Sequence, residues 1–302
     1  MPDAIFAAAA GEIQSDFTEQ RGKGNNLPVI VQHMDQTESM GDTEKEVPGN
    51  DVCCYEQPLN ERIRTFLRLE HLLACLRYHE RDASSWGRRA TMTILLDILN
   101  ILARHDLRTE LSKALGSSYA QLEQLSERTD IDSRQLQQVL ARLDTLGREL
   151  QLVPPQSASY LLRDNPLLNS LNNRHAIPGG TCGFDIPSYQ HWLAQKENSI
   201  AQDIEQWCTH VVPLENAINQ FLQMLRASVQ PQRHEAPGGV LVYQSDTSTQ
   251  LIRVWLDDAS AYPEISAGRH RAIIRFMAYG DDMLRVRQCR STITFQMACC
   301  RL

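Results

Sequence analysis

Apolar residues in this chain of 302 residues change their spacing near residue 237. From Ile63 to Leu225 they recur mostly three and four positions apart, and beyond Pro237-Gly238-Gly239 they recur at every second position. The first spacing lines one stripe of an α-helix and the second lines one face of a strand. Such a chain folds as α+β, with an N-terminal helical bundle followed by a β-rich part built on an antiparallel sheet.

Local signals divide the helical part. Asn60 is placed to cap a helix through Ile63, Phe66, Leu69, Leu73 and Leu76, and Ser84 or Ser85 a second through Leu95, Ile98, Leu99 and Leu102. One or two more follow through Leu107, Leu111, Leu115, Leu122 and Leu125. Asp132 caps another, through Leu136 to Leu150, which Pro154-Pro155 stops. Turn residues then cluster in Ile177-Pro178-Gly179-Gly180 and Asp185-Ile186-Pro187, and the second cluster leads into a short helix with Tyr189, Trp192 and Leu193. A long helical stretch over 199–229 is broken or restarted by Pro213. Strands are predicted at 240–243, 251–256, 271–277 and 291–298, paired as an antiparallel meander, with folded structure beginning at Pro58. The expected division is a disordered acidic extension over 1–54, a helical domain over 55–162 plus 199–229, and a β-rich domain over 163–198 plus 230–302.

Charge narrows the function classes. Residues 1–50 carry nine acids against Arg21, Lys23 and Lys45, leaving the rest of the chain at -1. From Pro263 onward seven arginines face three acids. No run of about 18 apolar residues offers a membrane span. The start lacks the basic region of a signal peptide, so a cytoplasmic protein is expected. Eight cysteines form no CxxC, and the pairs Cys53-Cys54 and Cys299-Cys300 are too close for ordinary disulfides, so unpaired thiols are predicted. Nucleotide-binding glycine loops, serine-hydrolase elbows and zinc or calcium signatures are missing, and the nine histidines form no ligand pair. No enzyme, no cofactor and no metal is therefore expected.

One segment carries recognition chemistry. In an extended stretch Arg269, Arg271, Ile273 and Arg275 share one face, and Ala272, Ile274 and Phe276 the other. Guanidinium forks around an aliphatic residue suit an acidic peptide with a hydrophobic anchor. Cross-strand ion pairs that merely solubilise the sheet are the alternative, as is a nucleic-acid face using Phe276 and Tyr279. A near-neutral folded part argues against nucleic acid. Arg64 and Arg68 on the first helix, and Arg104 near the end of the second, form weaker basic clusters.

Several blocks, in order, resemble the ZapD family of FtsZ-associated division proteins. They are Tyr55-Glu56-Gln57-Pro58-Leu59-Asn60-Glu61-Arg62-Ile63-Arg64-Thr65-Phe66-Leu67-Arg68-Leu69-Glu70, Arg108-Thr109-Glu110-Leu111, Ile177-Pro178-Gly179-Gly180-Thr181-Cys182-Gly183-Phe184-Asp185-Ile186-Pro187, Tyr262-Pro263-Glu264-Ile265-Ser266, Arg271-Ala272-Ile273-Ile274-Arg275-Phe276-Met277 and Ala298-Cys299-Cys300. The resemblance implies a homodimer at the mid-cell division ring that binds the C-terminal tail of FtsZ and cross-links its filaments into bundles. Carried over by position, it implies tail-binding roles for Arg64, Arg68, Arg104, Arg271 and Arg275. The acidic extension has no counterpart in that resemblance. It reads first as a solvating tail and second as an internal mimic competing for the basic pocket.

Overall fold

The computed structural model describes residues 53–124, 126, 132–268, 270–280 and 285–302. The acidic extension through residue 52, Leu125, Arg269, Asp281 and Asp282 lie outside the described residues. The order of the fold is β1 (Cys53–Pro58), α1 (Glu61–His79), α2 (Ser85–Arg104), α3 (Leu107–Glu123), α4 (Ser133–Leu152), α5 (Ser157–Asp164), α6 (Pro166–Arg174), α7 (Pro187–Leu193), α8 (Glu197–Cys208) and α9 (Val212–Ala227). Then come β2 (Gln232–Ala236), β3 (Val240–Gln244), β4 (Leu251–Leu256), β5 (Tyr262–Ala267), β6 (Arg271–Tyr279), β7 (Val286–Gln288) and β8 (Ile293–Cys300). The class is α+β, helices first.

Caps fall where short polar side chains precede the apolar stripes. Asn60 Oδ1 accepts from Ile63 N at 2.9 Å, and Ser84 Oγ from Gly87 N at 3.0 Å. Asp132 accepts from Arg134 N at 2.8 Å to start α4. Each satisfies an amide that the first turn leaves without a helical partner. Pro213 opens α9 rather than kinking a continuous helix, because its missing N–H costs nothing in a first turn. α9 runs through the middle of the bundle against α1, α3 and α4. There Phe221 meets Phe66 edge-on at 5.5 Å, both buried.

The strands form two sheets rather than one meander. The first has the order β1-β4-β8-β2; the second has β3-β6-β5, with β7 also paired to β6. All pairings are antiparallel. Ile252, Val254, Phe295 and Met297 of the first sheet pack on Ala272, Ile274 and Phe276 of the second. On the opposite face of the first sheet, Leu251, Ala298 and Cys300 join the helical core. Helices, first sheet and second sheet therefore stack as three layers, and among the described residues the outer face of the second sheet is not packed against another layer.

Two expected boundaries move. Structure starts before Pro58, since Cys53–Pro58 pairs along the whole of β4. Residues 163–198, expected with the sheets, form α6 and α7 and bury Leu168, Leu171, Tyr189 and Trp192 in the helical core. α7 is the short helix expected at Tyr189, Trp192 and Leu193, whereas α6 was not expected: its apolar positions are too few to show a period, and burial against neighbours supplies what propensity does not. The strands at 240–243, 251–256, 271–277 and 291–298 are all present, the first, third and last with shifted ends. β1, β2, β5 and β7 were not predicted, being polar, short or interrupted by Pro263. Pro263 is tolerated because β5 lies at a sheet edge. All eight cysteines are free; Cys208 and Cys300 are buried, whereas Cys75 is only half-buried.

The crossing from β2 to β3, and so from one sheet to the other, depends on Gly239. It has φ +72°, and a Cβ there would lie 2.3 Å from the Cys289 carbonyl oxygen. Gly179 has the same φ but open space around it. Gly239→Ala is expected to destabilise by about 3 kcal/mol through strain plus overpacking. Gly179→Ala should cost about 1 kcal/mol from the backbone alone. Urea titrations of the two variants measure the difference, and equal losses would refute the close-approach argument.

Candidate partner-binding surface

Burial of alternate β6 residues dictates where its arginines go. Ala272, Ile274 and Phe276 are fully buried between the sheets, so Arg271, Ile273 and Arg275 point from the outer face of the second sheet. The register extends that face sideways. Arg275 sits between Val240 of β3 and Glu264 of β5, Ile273 between Val242 and Ser266, and Arg271 beside Gln244. Further along β6, Met277 lies opposite Tyr262 and Gln288, and Tyr279 opposite Val286. The Tyr262 and Tyr279 rings are 5.8 Å apart.

The face is therefore an apolar strip, Val242, Ile273, Met277, Tyr262, Tyr279 and Val286, with two guanidinium groups along it. Val242 is 51% exposed, Tyr279 55% and Val286 43%. Among the described residues no ion pair engages Arg271 or Arg275, and even Glu264, opposite Arg275, makes none. Charge without a partner beside exposed apolar surface is the arrangement of a docking face. The sequence reading put Arg271, Ile273 and Arg275 on this face and named Tyr279 only for the nucleic-acid alternative, whose Phe276 is buried; it did not name Val242, Met277, Tyr262 or Val286. Alternation in 240–243 could have shown Val242; the others needed the pairing of β5 and β7. Arg269 lies outside the described residues.

The helical arginines occupy a different surface. Arg64 Nη1 is 2.8 Å from Glu61 Oε2, and Arg68 Nη1 is 4.0 Å from Glu61 Oε1, all three largely exposed. Such exposed pairs contribute little to stability and leave both guanidinium groups available. Arg68 and Arg104 line one cavity of about 570 Å³ with His71, Asp97, Asn100 and His175. Asp97, the one carboxylate of that lining among the described residues, bonds His175 Nε2 at 2.8 Å and faces two guanidinium groups, so the cavity is basic on balance. His71, three residues after Arg68 on the same helical face, was legible as a member. His175 arrives only through the packing of α6 on α2. Arg62 turns inward, with its guanidinium 5.6 Å from the Phe221 ring centroid and bonded to Gln250.

A larger cavity, about 1000 Å³, opens beside α5, α6 and α8. Its charged lining is acidic, Asp164 and Asp203, with Trp192 Nε1 donating to Asp203 at 2.8 Å. It does not suit an acidic ligand. Among the described residues no cluster of His, Cys, Asp and Glu could hold a metal ion, and no helix is long and apolar enough to cross a membrane.

Comparison with known proteins decides the family. A profile described as ZapD, cell division protein, matches residues 67–275. The chain belongs to the ZapD family. It is 34% identical over 252 residues to the cell division protein ZapD of Coxiella burnetii, covering 82% of this chain and 97% of that one. The cell division protein ZapD of Nitrosomonas eutropha is 32% identical over 253 residues, covering 83% and 100% respectively. That of Methylococcus capsulatus is 33% identical, covering 82% and 98%. The matched stretch takes in α2 through β5 and most of β6, so both basic surfaces fall largely within the ZapD-like fold. ZapD is a family of cell division proteins, and this chain takes its place in cell division with them.

Proposed function

We propose that this ZapD-family chain is a non-catalytic division factor of the cytoplasm. It binds the C-terminal tail of FtsZ on the outer face of its second sheet and cross-links FtsZ filaments at mid-cell. The observation that carries this reading is the pair Arg271 and Arg275, free of ion pairs among the described residues and set along exposed apolar side chains. The second basic surface, Arg64, Arg68 and Arg104, contributes further contacts to the same chain. A homodimer presents two equivalent copies of each surface. Two weak tail contacts made together on one polymer gain roughly 10²–10⁴-fold over either alone, without any new interface.

Co-pelleting with polymerised FtsZ, with and without its C-terminal tail, tests this. Sedimentation and light-scattering bundles are expected only with the tail. Equal pelleting with both forms would move the contact off the tail, and no pelleting with either would remove FtsZ as partner.

A further inference from the structure

The fold from Cys53 to Leu302 spans a length close to the 252–253 residues over which the relatives align. Residues 1–52 are additional to it, and they are acidic. Within them lies a segment whose chemistry matches the outer face of the second sheet. Leu27-Pro28-Val29-Ile30-Val31 is an apolar run, followed by Asp35, Glu38, Asp42, Glu44 and Glu46 with Lys45 as the one basic residue. That is an acidic peptide with a hydrophobic anchor, carried on the same chain as a strip of apolar side chains and two guanidinium groups.

The point of attachment is favourable. β1 begins at Cys53, opposite Leu256 at the end of β4. From there 257–261 lead to Tyr262, the start of β5, and β1 touches β5. The N-terminal segment therefore joins the fold at the edge where Tyr262 and Tyr279 stand. Arg275 lies four residues along β6 from Tyr279, about 13 Å at the rise of a strand. The seven residues from Glu46 to Cys53 reach up to about 24 Å when extended. Asp42, Glu44 and Glu46 are within range of Arg275, and Asp42, eleven residues and up to about 37 Å from Cys53, also reaches Arg271, eight residues or about 26 Å along β6 from Tyr279, with slack left for the apolar run to lie on Ile273 and Val242.

We infer that residues 27–46 dock on the outer face of the second sheet and compete there with the partner's tail. The inference rests on the reading of that face as the tail site, and it makes partner binding subject to anything that occupies or modifies the N-terminal segment. A tethered competitor acts at an effective concentration in the millimolar range, so even a weak contact lowers apparent affinity.

The test reads docking and competition separately. Backbone amide resonances of residues 27–46 are recorded by NMR in the full ¹⁵N-labelled chain, in Arg271→Glu/Arg275→Glu, in Arg68→Glu/Arg104→Glu and in about 0.5 M NaCl, where surface charge is screened. Docking predicts that the acidic amides shift in the first variant and in salt but not in the second variant. Unchanged resonances throughout would overturn the inference, and a response confined to Arg68→Glu/Arg104→Glu would overturn the assigned face. An FtsZ tail peptide should bind about 3- to 10-fold more tightly when residues 1–50 are removed. Val29→Asp/Ile30→Asp in the full chain should recover the same gain. Equal affinity of the full and shortened chains would overturn competition. If the resonances respond as expected but no form binds the peptide, docking stands and the FtsZ-tail reading fails.

Discussion

Arg271→Glu/Arg275→Glu is expected to weaken binding of an FtsZ tail peptide by at least about 100-fold and to abolish filament bundling, with circular dichroism and melting temperature unchanged. Charge-assisted hydrogen bonds contribute about 1.5–3 kcal/mol each, and reversing the sign adds repulsion to their loss. The fold should not notice, because both side chains are exposed and neither makes an ion pair with the described residues. Surface changes of this kind usually lie within about 0.5 kcal/mol. Fluorescence anisotropy with a labelled peptide measures the first effect and light scattering the second. Affinity within threefold of the parent, in a variant with intact dichroism, would reject the sheet face. Arg68→Glu/Arg104→Glu would then examine the cavity between α1, α2 and α6. A partial loss in each pair would mean that one tail spans both surfaces.

The second large effect concerns the joint between layers. Arg226 at the end of α9 donates from Nε and Nη2 to Glu56 of β1, at 2.8 and 2.7 Å. It also donates from Nη1 and Nη2 to Glu70 of α1, at 2.6 and 2.7 Å. Arg253 of β4 adds its own contact to Glu56 at 2.8 Å. One guanidinium thus ties two helices to an edge strand, and with Arg253 the group is largely shielded from water. Removing it leaves two carboxylates partly desolvated without their main cation. Arg226→Ala is expected to cost about 3 kcal/mol, below the value for a fully buried pair because about a quarter of the side chain is exposed. A urea midpoint unchanged from the parent would contradict it.

The same joint predicts a pH dependence. Burial alone would raise the pKa of Glu56, but hydrogen bonds and charge from Arg226, helped by Arg253, hold it below its ordinary value of 4.5. A carboxyl with a depressed folded pKa binds fewer protons folded than unfolded, so stability rises with pH in that window. The contribution is complete above the unfolded value and is lost as pH falls through the folded one. Urea stability of the parent should therefore decline below about pH 5, and Arg226→Ala should show a shallower decline. Parallel curves for the two proteins would assign the acid sensitivity elsewhere.

Much of this protein was decided locally and is visible in the chain itself. Leucines three and four apart require helices, Asn60, Ser84 and Asp132 start three of them, and Pro213 begins another because a first turn needs no proline N–H. Alternation in 271–277 already separates Ala272, Ile274 and Phe276 from Arg271, Ile273 and Arg275, and burial follows that division. These are short-range consequences of backbone geometry and the cost of exposing apolar side chains. Other features had no local cause. β1 and β2 are polar edge strands that exist because β4 and β8 offer them hydrogen-bond partners. Residues 166–174 are helical because the bundle has apolar surface for Leu168 and Leu171 to cover. The meeting of Tyr262 with Tyr279, of Arg68 with Arg104 and His175, and of Arg226 with Glu56 and Glu70 joins residues far apart in sequence. No periodicity encodes such meetings; they depend on which layers stack, and the stacking is set by the sum of all the buried faces together.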